Sequence, residues 1–298
     1  MRPIERLLIR RVEGFALGIG SAFAFGTMGF VARAMRDSLA VEEQSFWRAA
    51  VGALVLLPVV ARAIPALFKT KALSLWVRSF AGAASVLCYF SNLHRASVGD
   101  ATALRDLAPV FVLLISWGLG ESVRIVELIG VAVVLSGAIL LKSPFGSDLP
   151  FWTVLVGMAG ALSAGIAYSA LKRATAVHSP VLVVWCFSAV TAVVAAMMPG
   201  ESWVLPRGSA LLAAVSIGAL GLLGQLLLTF SLSLLPAATG SALMLLGIVW
   251  GAACEAIFTE WRPSLGAVVA YAIIVAGVGF LFKFRVPTRA GMRMEVEN

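Results

Sequence analysis

The sequence predicts an all-α integral membrane protein of ten transmembrane helices, arranged as two five-helix repeats of inverted topology. Three observations carry that expectation. Of 298 residues, 60% are hydrophobic and 13% charged, with a mean hydropathy of +0.98, a balance foreign to soluble domains. Uncharged runs of spanning length recur along the chain, and a bilayer core of about 30 Å needs roughly 20 apolar residues per helix. The second half also carries a faint copy of the first. Gly18, Ser21, Ala22 and Ala32 recur 142 positions later as Gly160, Ser163, Ala164 and Ala174. Ala103, Leu104, Leu107, Val110 and Glu121 recur 139 positions later as Ala242, Leu243, Leu246, Val249 and Glu260. An odd number of spans per half sends the second copy into the bilayer from the opposite side, an arrangement that transporters use.

The first half is read as a cytoplasmic segment 1–13 followed by spans at 14–34, 44–62, 74–94, 100–119 and 124–142. Span 1 rests on the uncharged run Gly14–Ala32. Its basic start and the Ala32-Arg33-Ala34 that follows imitate a cleavable leader, but the run exceeds a leader's apolar region and nine more spans follow. Span 4 holds Arg105, Asp106 and Pro109. The second half places spans at 150–172, 179–198, 209–235, 237–258 and 263–283, with a tail at 284–298. Leu149–Leu171 and Pro263–Phe282 are uncharged runs of single-span length. Gly208–Cys254 is uncharged for 47 residues, too long for one crossing, and Leu235-Pro236-Ala237-Ala238-Thr239-Gly240 divides it into spans 8 and 9. Apolar residues run continuously instead of alternating, which excludes a β-barrel.

Basic residues set the orientation. With the N-terminus inside, fifteen of the twenty-three Lys and Arg fall on the cytoplasmic side, among them Arg10, Arg11, Arg62, Arg78, Arg124, Lys172 and Lys283. The positive-inside rule then puts both termini in the cytoplasm. The net charge of +8 is accounted for by topology and anionic lipid, with no nucleic-acid partner. Cys88, Cys186 and Cys254 form no CxxC pair and read as small hydrophobes. No cofactor motif, nucleotide-binding loop or catalytic signature such as HExxH or GxSxG is present, and the short loops leave no room for a soluble catalytic domain.

Polar groups at membrane depth are the candidates for function, because a charge at a helix centre costs roughly 2.5–3.5 kcal/mol. Asn92, His94, Arg95 and Asp100 are expected to reach outer water in the hairpin between spans 3 and 4. Arg105 and Asp106 lie deeper. Neighbours on a helix point about 100° apart, so Arg105 is assigned to a central cavity and Asp106 to a neighbour such as Arg48; a buried structural ion pair is the competing reading. Pro109 frees the carbonyl of Arg105 and marks a flexing point in span 4. Gln225 is either a substrate partner or an interhelical one. Phe25, Tyr89, Tyr168 and Trp250 are the aromatic candidates for the cavity wall. Asp106 and Glu255 are the carboxylates available for proton coupling, which nothing in the sequence requires; Arg48, Pro109 and Glu255 are taken as structural or gating positions.

The stretch Asp100-Ala-Thr-Ala-Leu-Arg-Asp-Leu-Ala-Pro109-Val-Phe-Val, ending in Gly120-Glu121, resembles the drug/metabolite transporter superfamily, and within it the EamA-like members. Similar features are Gly130 and Gly137 in span 5, Phe46-Trp47-Arg48 opening span 2 and Thr259-Glu260 closing span 9. The resemblance covers about Gly14 to Lys283. It implies a cavity lined by spans 1, 3, 4, 6, 8 and 9, and secondary transport by alternating access in a bacterial inner membrane, working as a monomer or a homodimer. The implied cargo is a small polar or zwitterionic metabolite, an exported amino acid or derivative; a flippase or carrier of lipid-linked or other amphipathic metabolites is the alternative. Three positions depart from the family pattern. Phe25-Gly26 stands where Trp-Gly is common, Arg105-Asp106 where small polar residues are, and Ile248 where span 9 often repeats the span 4 proline. The last departure argues against symmetrical flexing.

Overall fold

The computed structural model describes residues 3–67, 73–95, 104–105, 107–119, 124–141, 150–198, 205–258 and 263–285; every regular element among them is a helix. The first half contains α1 (Pro3–Ala34), α2 (Val41–Val60), the single turn α3 (Ile64–Leu67), α4 (Leu73–Arg95), α5 (Ala108–Gly118) and α6 (Ile125–Leu141). The second contains α7 (Phe151–Val177), α8 (Pro180–Ala196), α9 (Ser209–Leu234), α10 (Ala237–Leu243), α11 (Leu246–Phe258) and α12 (Leu265–Arg285). Six stretches are long and apolar enough to cross a bilayer: Ile9–Ala34, Leu73–Arg95, Phe151–Val177, Ser209–Leu234, Ala237–Phe258 and Leu265–Phe284. Shorter apolar helices, Ala108–Gly118, Ile125–Gly137 and Pro180–Ala196, accompany them. Large side chains such as Leu54, Val59, Leu212, Val215 and Val268 lie on the outside, where lipid is the solvent.

Local chemistry sets the helix ends. The Ala40 N–H donates to Glu43 Oε2 at 2.9 Å, opening α2, and Gln44 Nε2 donates to the carbonyls of Ala32 and Leu39, each at 3.2 Å. Those bonds staple α2 to the end of α1. Ser179 caps α8, with Pro180 in the first turn where no donor is needed. Gly208, at φ 57°, takes the left-handed turn ahead of α9. The first helix begins at Pro3, so the segment before Gly14 continues span 1 as helix.

The most extensive helix contacts join one half to the other, and they come in matched pairs. Exchanging α1 with α7, α2 with α8, α4 with α9, α5 with α10–α11 and α6 with α12 turns the α1–α9 contact into α4–α7. The same exchange turns α2–α9 into α4–α8 and α1–α11 into α5–α7, while α2–α8 and α6–α12 map onto themselves. Recurrent residues sit at these seams. A Cβ on Gly157 of α7 would run into Leu104, and one on Gly18 of α1 into Leu243, the recurrence of Leu104. Ala22, Ala164, Ala32 and Ala174 are all buried. The scattered identities therefore mark places where helix backbones approach closely.

Spans 4 and 9 are both interrupted, which corrects two expectations. Pro109 lies in the first turn of α5, behind Leu107 as N-cap, with Leu104 and Arg105 helical ahead of it. A proline that lacks a donor and disfavours helix before itself starts a helix more readily than it continues one. Span 9 breaks at the equivalent place without a proline. Met244, Leu245, Gly247 and Ile248 donate to carbonyls three residues back, at 3.1, 3.2, 2.9 and 3.1 Å, the tighter winding of a 3₁₀ turn. Packing holds that winding, because an added Cβ on Gly247 would stand 3.0 Å from the Ala22 carbonyl oxygen while Leu243 fills the notch at Gly18. Ile248 thus sits beside a helix break, as Pro109 does, without a proline ring.

Candidate functional site

The two breaks face one chamber. Arg105 precedes one and Met244 occupies the other, 139 positions on, and both line a cavity of about 70 Å³. Phe25 and Met28 reach it from α1, Arg48 from α2, Arg78 and Tyr89 from α4, Tyr168 from α7, Phe187 from α8 and Gln225 from α9. Both halves contribute. Of the residues singled out in the sequence, Arg105, Phe25, Tyr89, Tyr168 and Gln225 converge here.

Cations and ring faces dominate the chamber. The Arg105 guanidinium carbon lies 4.5 Å from the Tyr89 ring centroid. Arg48 stands 5.7 Å from Phe25 and 5.4 Å from Phe187, and Arg78 stands 4.2 Å from the same Phe187 ring. Each such contact returns about 0.5–2 kcal/mol of the cost of taking a guanidinium out of water. Arg48 and Arg78 are only 7% and 2% exposed. Gln225 is buried and donates to Thr229 Oγ1 at 3.3 Å within its own helix.

Several expected positions turn out otherwise. Arg78, assigned to the cytoplasmic face by its charge, is buried in the chamber; Gly82, one turn on, makes room, since a Cβ there would collide with the Arg78 guanidinium and Phe187. Arg48, taken as structural and as a mate for Asp106, belongs to the cavity wall. Asp106 itself lies outside the described residues, as do Asp100, Gly120, Glu121, Thr259 and Glu260. Trp250 is not in the chamber. Its Nε1 donates to Thr27 Oγ1 at 2.8 Å and its ring meets Phe23, because α11 crosses α1 at Gly26 and turns the indole into that seam. Asn92, expected in outer water, is 1% exposed and donates to the Thr153 carbonyl at 3.2 Å, tying α4 to α7. Glu255 pairs with Arg33 at 2.8 Å, joining the ends of α11 and α1. Phe187 drew no notice in the sequence, and only its place on α8 between two arginines reveals it. Arg78 did carry a signal: it falls more than a turn inside span 3.

A larger cavity, about 780 Å³, lies at the end of the bundle where α1 begins. Arg10, Arg11, Arg124 and Lys172 line it together with Glu127, whose carboxylate accepts from Thr239 Oγ1 at 3.3 Å and from the Arg124 N–H at 3.2 Å. Tyr168 borders the chamber and Ser169 this vestibule. Between them Tyr168 and Leu113 pack on Val112, Ala237 and Ala238. The Arg33–Glu255 pair lies at the other end of α1: Arg11 and Arg33 are about 33 Å apart along the helix at about 1.5 Å per residue, the thickness of a hydrocarbon core. The vestibule, the small cationic chamber at the two helix breaks and the Arg33–Glu255 pair thus follow one another along the bundle.

Residues 12–143 match the model of the EamA-like transporter family. The pseudopaline exporter CntI of Pseudomonas aeruginosa is 29% identical over 88% of this chain and 93% of its own length. An uncharacterized transporter of Helicobacter pylori is 24% identical over 80% of this chain and 84% of its own. A crystal structure of a protein 20% identical in sequence superposes with a TM-score of 0.73, covering 91% of this chain and 97% of that one, a likeness of fold.

Proposed function

We propose that this multi-pass membrane protein, whose residues 12–143 match the EamA-like transporter family, exports a small polar metabolite across a bacterial inner membrane by secondary, alternating-access transport. The observation that carries the reading is the convergence of Arg105, Tyr89, Phe25, Tyr168 and Gln225 on one chamber at the two helix breaks. Broken helices at mid-membrane with a site at the repeat interface are how such carriers hold solutes. Ten spans in two inverted five-helix repeats account for the matched helix contacts. Both termini then face the cytoplasm, and so does the vestibule. In this reading Arg105 meets a substrate carboxylate, Gln225 adds a hydrogen bond, and the aromatic rings shape the pocket. Tyr168 separates vestibule from chamber, and the Arg33–Glu255 pair holds the outer side shut until the halves rock. Asp106 and Glu255 remain the carboxylates to test for proton coupling.

The test is counterflow of labelled amino acids in proteoliposomes, with Arg105→Gln alongside. A charged hydrogen bond contributes about 1.5–3 kcal/mol, so the variant is expected to lose roughly 10- to 100-fold in apparent affinity. Unchanged affinity in Arg105→Gln together with a loss of stability would return Arg105 to a structural role. Absence of counterflow for every solute tested, from folded protein, would sink the carrier reading.

A further inference from the structure

We propose that Arg48 and Arg78 form a second anion subsite in the chamber that Arg105 also lines, so that the molecule bound there carries two carboxylates. The proposal rests on the transport reading only for its flux arm; the binding arm stands by itself.

Both guanidinium groups are held deep in the bundle, Arg48 on α2 and Arg78 on α4, at 7% and 2% exposure. Among the described residues that line the chamber there is no carboxylate. The Arg78 Nε–H is buried with no hydrogen-bond partner. The two guanidinium carbons lie 5.4 and 4.2 Å from one ring centroid, that of Phe187, and so stand no farther apart than the sum of those distances. An arginine keeps its charge even when buried. Two such cations sharing one ring repel each other, and the ring face offsets only part of that repulsion. An anion between them removes the repulsion and satisfies the orphan donor together.

One carboxylate cannot serve the whole chamber. It offers about four lone-pair sites, and one guanidinium fork takes two of them. Arg105 rests on a different ring, Tyr89, from a different segment. The wall therefore gathers three guanidinium groups on two rings, Arg48 and Arg78 at Phe187 and Arg105 at Tyr89, more forks than one carboxylate can meet. The chamber, at about 70 Å³, has room for only a few waters, so the dicarboxylate enters as the Tyr168 layer parts from α5 and α10.

Matched probes of nearly equal size isolate the second charge: L-glutamate against L-glutamine, and L-aspartate against L-asparagine. Thermal protection of the purified full chain reads binding, and counterflow in proteoliposomes reads flux. Each dicarboxylate should compete at least about 10-fold better than its amide mate, the worth of one charged hydrogen-bonded contact. Arg48→Gln and Arg78→Gln should each erase most of that preference, and Arg78→Lys should keep part of it. Equal competition by acid and amide in the parent overturns the proposal without any variant having to fold. So does a preference that survives in both folded Gln variants. Inorganic phosphate protecting as well as the dicarboxylates would also overturn it, by showing a single anion pole. Preferential protection by the dicarboxylates with no flux of any solute would uphold the subsite and refute the carrier.

Discussion

Gly26→Ala probes the seam that ends in the Arg33–Glu255 pair. Gly26 lies where α1 crosses α11, and a methyl group there would stand 2.8 Å from the Gly247 carbonyl oxygen, 3.1 Å from Trp250 Cδ1 and 3.3 Å from the Gly251 nitrogen. Two of those three neighbours are backbone, so no rotamer change relieves the contact and the helices must separate by several tenths of an ångström. Overpacking of this kind costs about 1–3 kcal/mol, against a gain of about 1 kcal/mol for replacing a helical glycine by alanine. Gly20→Ala is the internal control on the same helix, because its methyl meets only the end of the flexible Leu227 side chain, at 3.3 Å. It keeps the helix gain and loses little. The two variants should thus differ by about 2 kcal/mol, or roughly 4–8 °C in melting temperature at about 2–4 °C per kcal/mol. The assay is thermal unfolding of both variants in one detergent, followed by counterflow. Gly26→Ala should be the less stable and the slower carrier, because its spread seam no longer lets Arg33 reach Glu255. A Gly26→Ala protein as stable as Gly20→Ala would refute the argument, since the backbone contact it rests on would then be absent.

Two further outcomes follow from side chains that the structure relocated. Trp250→Phe removes the bond to Thr27 Oγ1 and should cost about 0.5–1.5 kcal/mol in stability with substrate affinity unchanged; an affinity loss as large as that of Arg105→Gln would put Trp250 back in the binding site. The Arg33–Glu255 pair is 39% and 23% exposed, so Glu255→Gln should lower stability by at most about 1 kcal/mol. The same energy shifts the open–closed balance by up to about 5-fold, which would slow maleimide labelling of a Thr175→Cys reporter in the vestibule. Arg33→Glu combined with Glu255→Arg should restore the labelling rate, and failure of that swap would remove the pair from the gate.

The all-helical membrane character, the six long apolar stretches, the point where Gly208–Cys254 folds back and the family likeness could all be read from the sequence. They depend on composition and on the length of apolar runs, and a bilayer imposes those one segment at a time. Arg105, Tyr89, Phe25, Tyr168 and Gln225 were legible for a related reason: a polar or aromatic residue at a helix centre is conspicuous against leucine and alanine. Other features depended on what lies opposite. Arg78 looked like a loop charge until Gly82 and Phe187 showed room for it inside. Trp250 looked like a cavity residue until the crossing at Gly26 turned it toward Thr27. Ile248 hid a helix break that hydrogen bonds three residues back maintain without proline. Burial, rotation about the helix axis and the meeting of Arg48 with Arg78 at one ring are properties of helix pairs, and partners as far as 223 residues apart in the chain leave no periodic trace in it. Local energetics therefore determined the helices from sequence, while the non-local packing of the two halves decided which charges share a chamber.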